Sequence, residues 1–186
     1  MAIREIITVP NKTLNRKSQR VTDFGDVLQT LIDDLVETMR EAPGVGLAAP
    51  QVKVLQRVLV VEFGDEEDEE VPPKLYTLVN PEISRKSKET VLGIEGCLSI
   101  PELVGEVERS VAVTIKGQNR HGQAMKLKAS GWLARIFQHE IDHLNGVLFT
   151  DLTTTIFRVE DLLEEEEAQA QALIEQSSAD TPQALS

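Results

Sequence analysis

The segment His139-Glu140-Ile141-Asp142-His143 constrains this chain more than any other. An α-helix turns once every ~3.6 residues, so side chains four apart lie one above the other. On a helix, His139 and His143 point the same way and can hold one divalent metal, while Glu140 between them can act on a water at that metal. The flanking residues supply the helix. Ser130 precedes it as an N-cap, Gly146 follows as a stop, and Trp132, Leu133, Ile136, Phe137, Ile141 and Leu144 mark its buried faces. The histidines extend the Trp132–Ile136 stripe, so they are expected to point into the core. A single histidine there reads as a core residue with one hydrogen bond. Two at this spacing, with an acid between them, need a partner for buried charge, and a metal supplies it.

The rest of the chain must wrap around this helix. Residues 23–41 carry a wide apolar stripe from Val27 and Leu28 to Val36 and Met39, with Asp23 or Thr22 as cap and Pro43-Gly44 as stop. Residues 1–22 read as an irregular arm. Arg57 to Phe63 reads as a largely buried strand, and Leu75 to Asn80 as a short strand stopped by Pro81. Further strands are expected at Thr90 to Leu92, Glu102 to Glu108, Val111 to Gln118 and Ala124 to Ala129. A hairpin turn at Asn119-Arg120-His121-Gly122 joins the last two. Strands in the middle with helices flanking them give an α+β fold: a compact single domain, antiparallel strands packed around a central metal-binding helix.

Charge excludes one class of partner. The formal net charge is −12, but eight of the 31 acids lie between Glu160 and Asp180. Residues 1–159 are then near −4, with 23 acids against 19 bases. No basic stripe is present, so DNA is not an expected partner. No apolar run approaches the ~20 residues that span a bilayer, and the N-terminus has no signal-peptide pattern, so no membrane partner and a cytoplasmic location are expected. The six acids 65–70 read as an exposed loop closed by Pro72-Pro73. Three units follow: a catalytic metallohydrolase domain at 1–157, an acidic C-terminal helix at 158–175 and a disordered tail at 176–186.

A catalytic metal takes three protein ligands and keeps an open position. Cys97, the one cysteine, is the best third candidate, because Gly96 lets the chain pass close to a metal. His121 and scattered carboxylates are the alternatives. A His₂Cys set suits Fe²⁺, Zn²⁺, Co²⁺ or Ni²⁺. The chemistry is then metal-assisted amide hydrolysis, with Glu140 moving the proton and donors such as Gln51 and backbone N–H groups near Cys97 holding the oxyanion. A zinc endopeptidase would need a downstream third ligand, and no histidine follows His143. A non-catalytic metal-stabilised module would not need Glu140. Residues 44–49, taken alone, read as a helix-to-strand turn.

Gly44-Val45-Gly46-Leu47-Ala48-Ala49-Pro50-Gln51, Glu95-Gly96-Cys97-Leu98-Ser99 and Gln138-His139-Glu140-Ile141-Asp142-His143 together resemble the three motifs of the peptide deformylases, in order and spacing, over about residues 1–155. The resemblance implies hydrolysis of the N-formyl group from the initiator methionine of nascent polypeptides, with release of formate. It implies Cys97, His139 and His143 as metal ligands and Glu140 as general acid/base. Gln51 and the Leu98 N–H would hold the formyl oxygen. The backbone at Val45, Gly46 and Gly96 would clamp the substrate, and Val45, Trp132 and Arg135 would line the methionine pocket. One divalent metal per chain is implied, Fe²⁺ in the cell, with Zn²⁺, Ni²⁺ or Co²⁺ as alternatives. Two departures stand out. Lys53 occupies the usual glycine position after Pro-Gln-Val, and the C-terminal segment is acidic where some members dock on the ribosome through a basic helix. Only transient ribosome proximity, without such a contact, is therefore expected.

Overall fold

In the computed structural model, which describes residues 2–42, 44–64 and 72–162, two antiparallel sheets and two helices pack around one another. A 3₁₀ turn at Lys12–Asn15 leads to α1 (Asp26–Glu41), β1 (Gly46–Ala48) and a 3₁₀ turn at Ala49–Val52. Then come β2 (Val58–Phe63), β3 (Lys74–Lys86), β4 (Thr90–Cys97), β5 (Ile100–Ser110), β6 (Ala112–Gln118) and β7 (Ala124–Ser130). Helix α2 (Gly131–Asn145), a 3₁₀ turn at Phe149–Asp151 and β8 (Ile156–Arg158) follow. The larger sheet has the order β1-β2-β3-β6-β7 and the smaller β4-β5-β8. The architecture is α+β, a single domain with antiparallel sheets, and α2 carries the histidine pair. Among the described residues, no helix is long and apolar enough to cross a membrane.

Strand β2 sets where α2 lies. Its run Val58-Leu59-Val60-Val61 is wholly buried, and successive side chains face opposite sides of the sheet. Val58 and Val60 pack with Leu28, Leu31 and Leu35 of α1, while Leu59 and Val61 pack with Phe137, Ile141 and Leu144 of α2. A sheet covered on both faces needs a continuous apolar run rather than alternation. Each fully buried side chain of this kind contributes about 1.5–3 kcal/mol. Helix α2 is thereby pressed against the larger sheet on its apolar face, which leaves the other face to β4 and β5.

Several expectations are corrected. Helix α1 begins at Asp26, because the Asp23 carboxylate accepts from Gly25 N–H two residues on (2.9 Å) and forms a local turn instead of a helix cap. Strand β3 does not stop at Pro81 but continues to Lys86. The pairing with β6 shifts register between Val79 and Glu82, so Pro81 sits at a bulge where its missing N–H costs no ladder bond. Strand β4 runs on to Cys97, well past Leu92. Arg158 closes β8, captured by pairing with Leu103 of β5, and a helical turn begins only at 159. The remainder of the acidic helix expected at 158–175, the tail 176–186 and the acidic run 65–70 lie outside the described residues.

Candidate active site

Helix α2 is fixed at both ends and along one side. Ser130 stands at the N-cap position in an extended conformation, although its hydroxyl makes no capping bond. Gly146 ends the helix with φ 76°, and a Cβ there would lie 2.7 Å from the Asn15 backbone. Midway, the Gln138 amide donates to Ser110 C=O (2.9 Å) and accepts from Ser110 N–H (3.3 Å), as a neighbouring strand would. At the far end, Arg57 donates to Leu144 C=O (3.2 Å) and Asn145 Oδ1 (3.0 Å), placing a cation at the helix C-terminus. His139 and His143 thus project as a rigid pair, ring centroids 5.0 Å apart.

Beneath His139 lies a buried ionic hub. The Glu95 carboxylate accepts from Arg109 Nε (2.8 Å) and Nη2 (3.0 Å), from Arg135 Nη1 (2.9 Å) and from His139 Nδ1 (3.0 Å). Arg109 also pairs with Asp142 at 2.5 Å. Burial pushes the Glu95 carboxyl up, but hydrogen bonds from His139 and Arg109 outweigh it and hold it at about 2. Glu95 fixes the His139 ring, with Nδ1 engaged and Nε2 turned towards Cys97 and His143. Burial alone would lower His139, yet its bonds to Cys97 and Glu95 raise it to about 10. Burial, with the positive charges of His139 and Arg109, drives His143 well below its usual value.

Cys97 Sγ and His143 Nε2 are 3.2 Å apart, and the ligand atoms of Cys97, His139 and His143 all lie within 4.8 Å of one another. A tetrahedral ion with bonds of ~2.3 Å to sulfur and ~2.0–2.1 Å to nitrogen separates those atoms by about 3.5 Å. The donor set fits one divalent ion. Glu140 stands beside it. Its Oε2 is buried with no hydrogen-bond partner among the described residues, and burial pushes the carboxyl up to about 7. A Cβ on Gly46 would lie 2.5 Å from Glu140 Oε1, so only glycine lets the carboxyl occupy this place.

A cavity of about 390 Å³ opens over these groups. Every predicted site residue except His143 lines it: Val45, Gly46, Gln51, Gly96, Cys97, Leu98, Trp132, Arg135, His139 and Glu140. His143 lies deeper, 1% exposed. His121 sits on the exposed hairpin turn, away from this cluster. Trp132, read from sequence as a buried-face residue, is 42% exposed at the cavity rim, with the Arg135 guanidinium 5.5 Å from its ring. That guanidinium is itself buried, donating to Val91 C=O, Gly93 C=O, Val107 C=O and Glu95. Sequence reasoning named Glu95 and Ser99 only as neighbours of Cys97, gave them no role, and missed Arg109. Glu95 carried a signal, since on a strand it shares a face with Cys97.

The polypeptide deformylase family profile matches residues 3–157. The chain belongs to the peptide deformylase family. Deformylase activity is metal-dependent removal of the N-formyl group from nascent peptides, and formylated nascent peptides are its substrates. A peptide deformylase from Symbiobacterium thermophilum is 46% identical over 181 residues, covering 97% of this chain and 81% of its own. The deformylase crystal structure from Thermotoga maritima superposes with TM-score 0.76 at 38% identity, covering 83% of this chain and 99% of its own. A class I type b deformylase from Acinetobacter baumannii with Met-Ala-Ser bound superposes with TM-score 0.75 at 36% identity, covering 82% of this chain and 99% of its own. The Cys97-His139-His143 group is the metal-binding set typical of deformylases.

Proposed function

We propose that residues 1–157 form the catalytic unit of a cytoplasmic deformylase in which Glu140 moves the proton and Gln51 with Leu98 holds the formyl oxygen. Cys97, His139 and His143 hold the ion, Fe²⁺ in the cell. That ion supplies Lewis acidity to the formyl carbonyl and to water. The observation that carries this reading is the Glu140 carboxylate: buried, with Oε2 unpartnered among the described residues, beside three convergent ligand atoms and lining a cavity.

Glu140 Oε2 takes a proton from the attacking water and returns it to the methionine nitrogen as the C–N bond breaks, so formate and a free amine leave. The Gln51 Nε2–H and the Leu98 backbone N–H donate to the developing oxyanion. The peptide lies as an extended strand against the backbone at Val45, Gly46 and Gly96. Gly96 supports this: among the described residues, a Cβ there would meet only Val104 Cγ1, at 3.4 Å, so packing does not demand glycine and leaves a bare backbone for the substrate. The methionine side chain lies against Val45, the Trp132 ring and the aliphatic stem of Arg135. The acidic C-terminal segment offers no charge attraction to RNA, so contact with the ribosome is transient.

Protein purified anaerobically with Fe²⁺ releases formate from formyl-Met-Ala-Ser. Glu140→Gln retains metal and loses about 10³-fold in kcat. Near-full activity in that variant would remove Glu140 from the role of acid/base.

A further inference from the structure

An amide has two ends of opposite polarity, and only one can stabilise an oxyanion. The terminal torsion of glutamine is broad, so a single hydrogen bond does not fix the plane of its amide. Around Gln51, which is 2% exposed, both ends are held. Oε1 accepts from Ala48 N–H at 2.9 Å. A backbone N–H can only donate, so this contact decides which end of the amide turns away from the cavity. Nε2 then carries two hydrogens. One reaches Ser99 Oγ at 3.2 Å, and the other lies on the side of Cys97 Sγ, 3.7 Å away. Ser99 is completely buried. The N-terminal arm ties both main chains to one strip of backbone: Ile7 N–H donates to Gln51 C=O at 2.8 Å and Val9 N–H to Ser99 C=O at 2.9 Å.

We propose that Ser99 is a positioning residue for deformylation: its hydroxyl holds one Gln51 N–H so that the other stays aimed at the formyl oxygen. This rests on the reading of Gln51 as an oxyanion donor. Without the hydroxyl, the amide is held at its oxygen, and Nε2 keeps just the long 3.7 Å contact with Cys97 Sγ. It then swings about its last torsion, and the N–H beside Cys97 Sγ no longer stays aimed at the formyl oxygen. A merely structural serine, needing a partner only because it is buried, would behave otherwise. Its loss would weaken the protein by the same factor whether or not Gln51 were present.

The test measures kcat and KM for formate release from formyl-Met-Ala-Ser with Ni²⁺-loaded wild type, Ser99→Ala, Gln51→Ala and the double variant, with metal content alongside. Ser99→Ala lowers kcat about 10-fold, the loss of one hydrogen bond, with KM nearly unchanged. Gln51→Ala lowers it by about 10²–10³-fold, and the double variant is no worse than Gln51→Ala alone. In ¹⁵N-labelled wild type loaded with Zn²⁺, one Gln51 side-chain amide proton exchanges about 10-fold more slowly than the other. Additive losses in the double variant overturn the inference, as does a Ser99→Ala loss carried by KM or metal content, or equal exchange of the two amide protons; each leaves Gln51 in its role. Unchanged kcat in Gln51→Ala overturns the reading of Gln51 and the inference with it. The exchange measurement needs no variant, so equal exchange overturns the inference even if Ser99→Ala does not fold.

Discussion

The two sides of the cavity are built by different means. Under His139, Glu95 gathers two arginines and an imidazole, and all the groups are charged or chargeable. Beside Gln51, apart from the Cys97 sulfur itself, the partners are a backbone N–H, a hydroxyl and a strip of N-terminal backbone, all neutral. The ionic side must hold a metal ligand against the field of a cation, and it does so with groups whose charges offset one another only while all are present. On the proposed reading, the neutral side keeps the Gln51 dipole aimed without adding charge near the Cys97 sulfur. The difference predicts opposite failure modes: the ionic side should collapse when one member is lost, and the neutral side should lose aim without losing stability.

The largest effect breaks the ionic side outright. Glu95→Ala leaves Arg109 with Asp142 alone and Arg135 with backbone carbonyls alone, and should cost about 3 kcal/mol in urea denaturation. Metal affinity should fall about 10–100-fold, since the His139 ring loses its anchor. A variant as stable as wild type would show that the hub does not join α2 to β4. A second test uses acid. Glu95 sits at about 2 when folded against an ordinary 4.5, so its contribution is complete above pH 4.5 and is lost as the pH falls towards 2. That contribution is about 3 kcal/mol, and Glu95→Gln should flatten this part of the stability–pH curve. Gln51→Ala should leave the slope unchanged. Gly46→Ala probes the boundary between the two sides. Its Cβ would strike Glu140 Oε1, so kcat should fall about 100-fold with metal content intact. The smallest effect lies on the neutral side. Lys53 holds φ 65° just after the 3₁₀ turn that bears Gln51. Lys53→Gly relieves the left-handed strain while losing only an exposed ion pair to Glu5, so stability should rise by about 0.5 kcal/mol with kcat unchanged.

What could be read from the sequence was local. The His139–Glu140–His143 spacing, the α1 stripe and the β2 run each depend on residues within a few positions of one another, and helix or strand period exposes them. Cys97 was reachable because it is the one cysteine and has a glycine beside it. The Glu95 hub was not, since its partners Arg109, Arg135 and His139 are 14, 40 and 44 residues away and meet only through the β4–β5 register and the docking of α2. Pro81 misled because a bulge, which no local pattern announces, removed the need for its N–H. Trp132 misled for another reason. Helical periodicity marks an apolar face, but it does not separate a face packed on a sheet from one that borders a cavity.

Trp132 therefore gives this protein an optical reporter of its own. It is the chain's one tryptophan, half in water at the mouth of the cavity, with the Arg135 guanidinium over its ring. On the proposed reading, a peptide entering the cavity should dry the indole and move its emission to shorter wavelength. Occupancy can then be followed in real time, on unlabelled protein, with ligands that never turn over.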